Sequence, residues 1–140
     1  MKYDQSFMKA VGEYGCYALC IINIAEQVMG RRIDKLAAIE KGIATGSIEW
    51  HDDNYSHPDN MYVERPDRFL SLLTGGKEWS VRKESDILYK PKKGEYIVER
   101  WARNGYGHFA RTRDGYNSLQ GSKCVTLGKI ESLRVFKEKV

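Results

Sequence analysis

Cys16 follows a glycine in GEYGCYALCIINIAEQVMG (Gly12–Gly30) and stands where an apolar helical run begins. A thiol in the first turn of a helix meets partial positive charge and unpaired amides, which favour thiolate over thiol. The same amides can hold a developing oxyanion. A cysteine nucleophile also needs a base to take its proton and a group to orient that base. Of the chain's three histidines, His51 and His57 fall in the polar stretch HDDNYSHPDN. His108 opens HFARTR, a strand-like segment preceded by the glycine-spaced NGYG. Cys16 and His108 are therefore the pair whose types and settings fit nucleophilic catalysis, with NGYG shaping the approach to the imidazole.

Other chemistries fit less well. Cys16, Cys20, Cys124 and His108 hold the atoms for a zinc site, but they lack the short loop spacings, such as C-x-x-C, of structural zinc. HDDNYSHPDN lacks the glycine and closing glutamate of a calcium loop and reads as a polar surface loop. No metal and no cofactor is expected. The formal charge is only +4. Lys123, Lys129, Arg134, Lys137 and Lys139 gather near the end, with Glu131 and Glu138 among them, so nucleic acid is the less favoured partner.

These side chains must be positioned by a single domain, residues 1–140, with a helical half over about 1–76 and a sheet half over about 77–140. The spacing of Leu19, Cys20, Ile24, Ala25 and Val28 predicts a helix over Cys16–Met29, stopped by Gly30. A second helix is expected over about 33–45 with a closing Gly46. A third, short one has Pro66 near its start, Phe69, Leu70, Leu72 and Leu73 inside, and Gly75 at its end. EWSVRK, EYIVERW, HFARTR, CVTL and ESLRVF then read as about five strands, with a tight turn at Asp114-Gly115. Helices followed by strands predict an α+β fold, N-terminal helices packed on a C-terminal antiparallel sheet. Trp50, Trp79 and Trp101 are expected as core or cleft wall.

No apolar run approaches the roughly 20 residues of a membrane span. Asp4 and Gln5 stand where a signal peptide would be apolar. Three cysteines without framework spacing imply free thiols, so a cytoplasmic protein is expected.

YGCYALC heading the first predicted helix, GHF on a strand, and YNSLQGSKCV beyond it resemble the papain-like cysteine peptidases. The likeness is greatest to their small bacterial and phage branch, which includes the peptidase domains that trim bacteriocin leaders. It implies a papain-like fold, a peptide or protein substrate, Cys16 as nucleophile, His108 as general base and acid, and Asn117 as the residue orienting His108. The chain departs from the pattern at two points. Ala10 stands where the family places an oxyanion-hole glutamine, and the nearest glutamine upstream is Gln5. A two-residue hairpin at Asp114-Gly115 would also leave Asn117 roughly 13 Å along the sheet from His108. Either a bulge or wider turn closes that gap, or Asp114 or Gln120 takes the part. The competing expectations are a catalytically degenerate papain-like protein that binds a peptide or host protein through the same cleft and, as a further alternative, a nucleic-acid-binding module using the basic C-terminal strands.

Overall fold

The structure, a computed structural model, describes residues 5–54 and 56–140. Asp4, used above to read the N-terminus, and Tyr55, within the polar loop, lie outside the described residues. The first element is one the sequence reading omitted, helix α1 (Gln5–Tyr14). It buries Phe7, Ala10 and Val11, an i, i+3, i+4 stripe. Gly15 turns the chain directly into α2 (Cys16–Met29), so Cys16 is the first helical residue. A methyl group on Gly15 would lie 2.5 Å from the Val11 carbonyl oxygen, which is why glycine precedes the cysteine. Ala18, Leu19, Cys20, Ile21, Ile22, Ile24 and Ala25 are all buried, and Gly30 ends the helix at φ 67°.

Helix α3 (Lys35–Ala44) begins where the Asp34 side chain accepts the Ala37 amide. Helix α4 (Pro66–Leu73) starts on its proline and buries Phe69, Leu70 and Leu73. Leu72, expected inside, is instead 40% exposed, since the eight-residue helix turns it away from the stripe its neighbours form.

Beyond α4 lie β1 (Trp79–Glu84), β2 (Glu95–Arg103), β3 (Tyr106–Ala110) and β4 (Lys129–Glu138). They form one antiparallel sheet in the order β1-β4-β2-β3, and the fold is α+β. Helices α2 and α4 share a core with Trp79, Val98 and Phe136 of the sheet. On its other face Ile97, Leu133 and Val135 are covered by Tyr89 and Ile130.

Among the described residues there are four strands rather than five. CVTL is the helical turn α5 (Lys123–Thr126), because the Ser122 carbonyl collects the Val125 and Thr126 amides and the Thr126 hydroxyl. HFARTR leaves the sheet at Ala110 and enters a 3₁₀ turn, Thr112–Asp114. Gly115, at φ 74°, and a bridge between Arg111 and Tyr116 close that turn, so the tight two-residue hairpin does not form. The polar loop has exposed Asp52 and Asp53, but it is stapled from within. Asn60, only 3% exposed, accepts the His51 amide at 2.7 Å and donates to the Asn54 carbonyl at 3.1 Å. Among the described residues no helix is long and apolar enough to cross a membrane.

Candidate active site

Strand β3 is an edge of the sheet, and the first turn of α2 lies against it. There the Phe109 amide donates to Cys16 Sγ at 3.5 Å. The preceding residue, His108, is 6% exposed and holds its Nε2 2.7 Å from Asn117 Oδ1. An amide oxygen only accepts, so in this bond Nε2 is the donor, and Nδ1 is the ring nitrogen left to act as a base. Cys16 and His108 line one cavity of about 570 Å³ together with Glu13, Gly107, Gln120 and Cys124.

Asn117 reaches His108 because the 3₁₀ turn and Gly115 make the reversal after β3 wider than a two-residue hairpin. Its Oδ1 also accepts the Leu119 amide at 3.1 Å, and its carbonyl accepts Gln120 Nε2 at 3.1 Å. The other two candidates are occupied elsewhere. Asp114 pairs with Arg111 Nη2 at 3.0 Å, and Gln120 steadies Asn117 itself.

A buried polar network fixes this turn, and it was not foreseen from the sequence. Glu99, on β2, has no exposed surface. Its Oε1 accepts the Thr112 amide at 2.9 Å, the Thr112 hydroxyl at 2.6 Å and Trp101 Nε1 at 3.0 Å, while Oε2 accepts the Arg113 amide at 3.2 Å. Arg111, 1% exposed, donates to the Ile97 carbonyl, Asn23, Gln27 and Asp114. The turn that carries Asn117 is thereby tied to both β2 and α2. One signal was available: in EYIVERW the glutamate occupies the same alternating face as Ile97, an inward position that a charge takes only with partners.

The electrostatics of the thiol are mixed. Burial pushes Cys16 above the ordinary thiol range, opposed by the amides of Phe109 and Tyr17 and by the Arg100 guanidinium. Cys20 is raised further, chiefly by its burial in the core. Burial likewise pushes the Tyr116 phenol up to about 12 and raises Tyr17. All four groups stay protonated in the fold at pH values where the open chain would ionise. Their contribution to stability is therefore full below the ordinary cysteine value of about 8.5 and is lost as pH rises toward 12. Urea midpoints are expected to fall steadily over that window, and Cys20→Ala to flatten the slope. A midpoint constant across it would contradict the burial of these groups.

Gln5 is exposed at the start of α1, whose rise of about 1.5 Å per residue carries it on the order of 14 Å back from Tyr14. Ala10 is fully buried in the core. Neither supplies a donor at the sulfur. Cys20 also faces the core, so the four-ligand zinc arrangement does not assemble. Glu49, His51 and His57 offer ligand atoms within 4.8 Å of one another and are the one such metal-competent group among the described residues. As they stand, His51 Nε2 meets Glu49 Oε2 at 2.5 Å, His57 Nδ1 accepts the Asp59 amide, and the two imidazoles stack at 3.7 Å. Trp79 is buried, with Nε1 donating to Thr74 Oγ1, and Trp50 packs edge-on to Phe7. Trp101 is held by Glu99.

A second, larger cavity of about 890 Å³ also reaches Cys16, lined by Tyr17, Trp79, Phe109, Arg100 and Arg134 among others. Cys16, Glu13 and Gly107 belong to both cavities, so Cys16 borders the two. Comparison with family models, with curated proteins and with solved structures finds no match to this chain.

Proposed function

We propose that this chain is a cysteine-dependent hydrolase of the papain-like kind, acting on an amide bond of a peptide. The observation that carries this reading is the placement of Cys16, His108 and Asn117. A thiol heads a helix and accepts the amide of the residue following a histidine, whose ring is held by an asparagine at 2.7 Å. A cysteine-led helix packed on an antiparallel sheet that bears the histidine also supports the papain-like assignment.

In the reaction His108 Nδ1 takes the Cys16 proton and the sulfur attacks the substrate carbonyl carbon. In this reading the resulting oxyanion is held by the amides of Cys16 and Tyr17, in the first turn of α2. The carbon–nitrogen bond breaks as His108 returns its proton to the leaving amine, giving a thioester. Water, deprotonated by His108, then releases the acid and restores the thiol. Because burial holds the resting thiol up, proton removal accompanies attack and does not precede it.

Iodoacetamide tests this directly. Cys16 is expected to be alkylated in the folded chain while Cys20 is spared, and His108→Ala to slow Cys16 at pH 7 by about tenfold or more. If Cys16 reacts no faster than Cys20, or is indifferent to His108, the hydrolase reading fails. The second reading, a degenerate fold that only binds peptides, draws on the raised thiol and on the buried Ala10 in the glutamine position. It predicts that outcome.

A further inference from the structure

The helix-facing side of the sheet changes character along its length. At one end it presents Trp79 and Phe136 to the core. At the other, where α2 begins at Cys16, it presents arginine. The register places Arg100 opposite Phe109 and Arg134 opposite Val98, so both guanidinium groups arise from this face beside the α2 terminus. Their Cζ atoms lie 5.1 Å and 5.6 Å from the centre of the Phe109 ring, which itself stacks on Tyr17 at 4.2 Å. Phe109 is also the residue whose amide reaches Cys16 Sγ. The two cations therefore stand one side chain away from the sulfur.

Neither arginine forms an ion pair among the described residues. Arg134 spends Nη1 on Ser132 Oγ and the Leu133 carbonyl. Nearby Arg82 differs, being neutralised by Glu84 at 2.7 Å. Space is kept for Arg100, since a methyl group on Gly107 would fall 2.1 Å from its guanidinium nitrogen. Both arginines line the larger cavity, and both are half-buried, where a charge–charge hydrogen bond is screened less than at the open surface.

We propose that Arg100 and Arg134 form an anion subsite that selects peptides carrying a carboxylate close to the bond presented to Cys16. The inference rests on the hydrolase reading and supplies its substrate class. An extended peptide would lie across Cys16 from one cavity to the other. Its acidic side chain, or a terminal carboxylate, would sit on the arginine side. A planar guanidinium fork binds carboxylate through paired hydrogen bonds, which sets direction as well as affinity.

The test is a panel of quenched fluorescent octapeptides, identical except that Glu, Gln or Lys is placed at each position in turn. At one position Glu is expected to be cleaved about ten- to a hundredfold faster than Gln. Arg100→Gln and Arg134→Gln are each expected to bring that ratio toward one, and the double Arg→Glu variant to turn the preference to Lys. Cleavage with no Glu preference at any position overturns the subsite and leaves the hydrolase standing. If nothing is cleaved, binding of the same peptides to Cys16→Ser by fluorescence anisotropy decides. Tighter Glu peptides, with the gain lost in the arginine variants, uphold the subsite, and equal affinities for Glu, Gln and Lys overturn it. Binding of a single-stranded oligothymidine that needs both arginines and is not displaced by the Glu peptide also overturns it, in favour of nucleic acid.

Discussion

A Cys16→Ala chain is expected, on the proposed hydrolase reading, to lose peptide hydrolysis by at least about a thousandfold, to the limit of detection. Removing the nucleophile of a triad leaves only what binding and oxyanion donors contribute, because the remaining members act as a unit with it. The control lies one turn along the same helix. Cys20 is a fully buried thiol with no access to either cavity, so Cys20→Ala is expected to cost stability through a small cavity and to leave turnover per folded molecule intact. Initial rates on a peptide that the parent cleaves, normalised to folded protein, separate the two variants. Retention of more than about a tenth of the parent rate by Cys16→Ala would remove the sulfur from the mechanism and leave the cleft a binding surface.

The second large effect lies away from the sulfur. Glu99→Ala is expected to destabilise the fold by about 3–5 kcal/mol, the range for breaking a buried charged network from one side. The loss strands the Thr112 and Arg113 amides and Trp101 Nε1. It also removes the acid that shares the interior with the wholly enclosed Arg111. Glu99→Gln keeps the shape and two hydrogen-bonding groups and is expected to cost less. Urea unfolding measures the difference, and a midpoint for Glu99→Ala close to the parent would refute it. Since the same turn carries Asn117, a surviving fraction of Glu99→Ala is also expected to show weaker dependence of alkylation on His108.

Some of this molecule is written plainly in its chain. The long helix from Cys16 to Gly30 is legible because its apolar residues recur at helical spacing and its ends carry glycine at both required places. The alternation in EYIVERW marks β2, and the helices-then-strands order gives the α+β class. Helix α1 was missed because its buried stripe is three residues long and the exposed Met8 and Tyr14 obscure it. CVTL misled because its β-branched residues favour a strand, whereas local hydrogen bonds to Ser122 decided for a helical turn. At the site, Cys16 and His108 stand out by type and context. The nearness of Asn117 to His108 does not, since it depends on a 3₁₀ turn held by Glu99 and Arg111 from two other elements. Arg100 and Arg134 are likewise invisible as a pair until the register of three strands aligns them with Phe109.

The bond from the Phe109 amide to the Cys16 sulfur has a further bearing on how the chain behaves in company. Strand β3 is an outer strand of the sheet, a kind of border along which one molecule can zip onto another where it is left uncovered. The first turn of α2 lies against it, and the thiol occupies one of its donors, which alanine would leave vacant. Cys16→Ala is therefore expected to self-associate more readily than the parent chain at high concentration, a contrast that sedimentation can resolve.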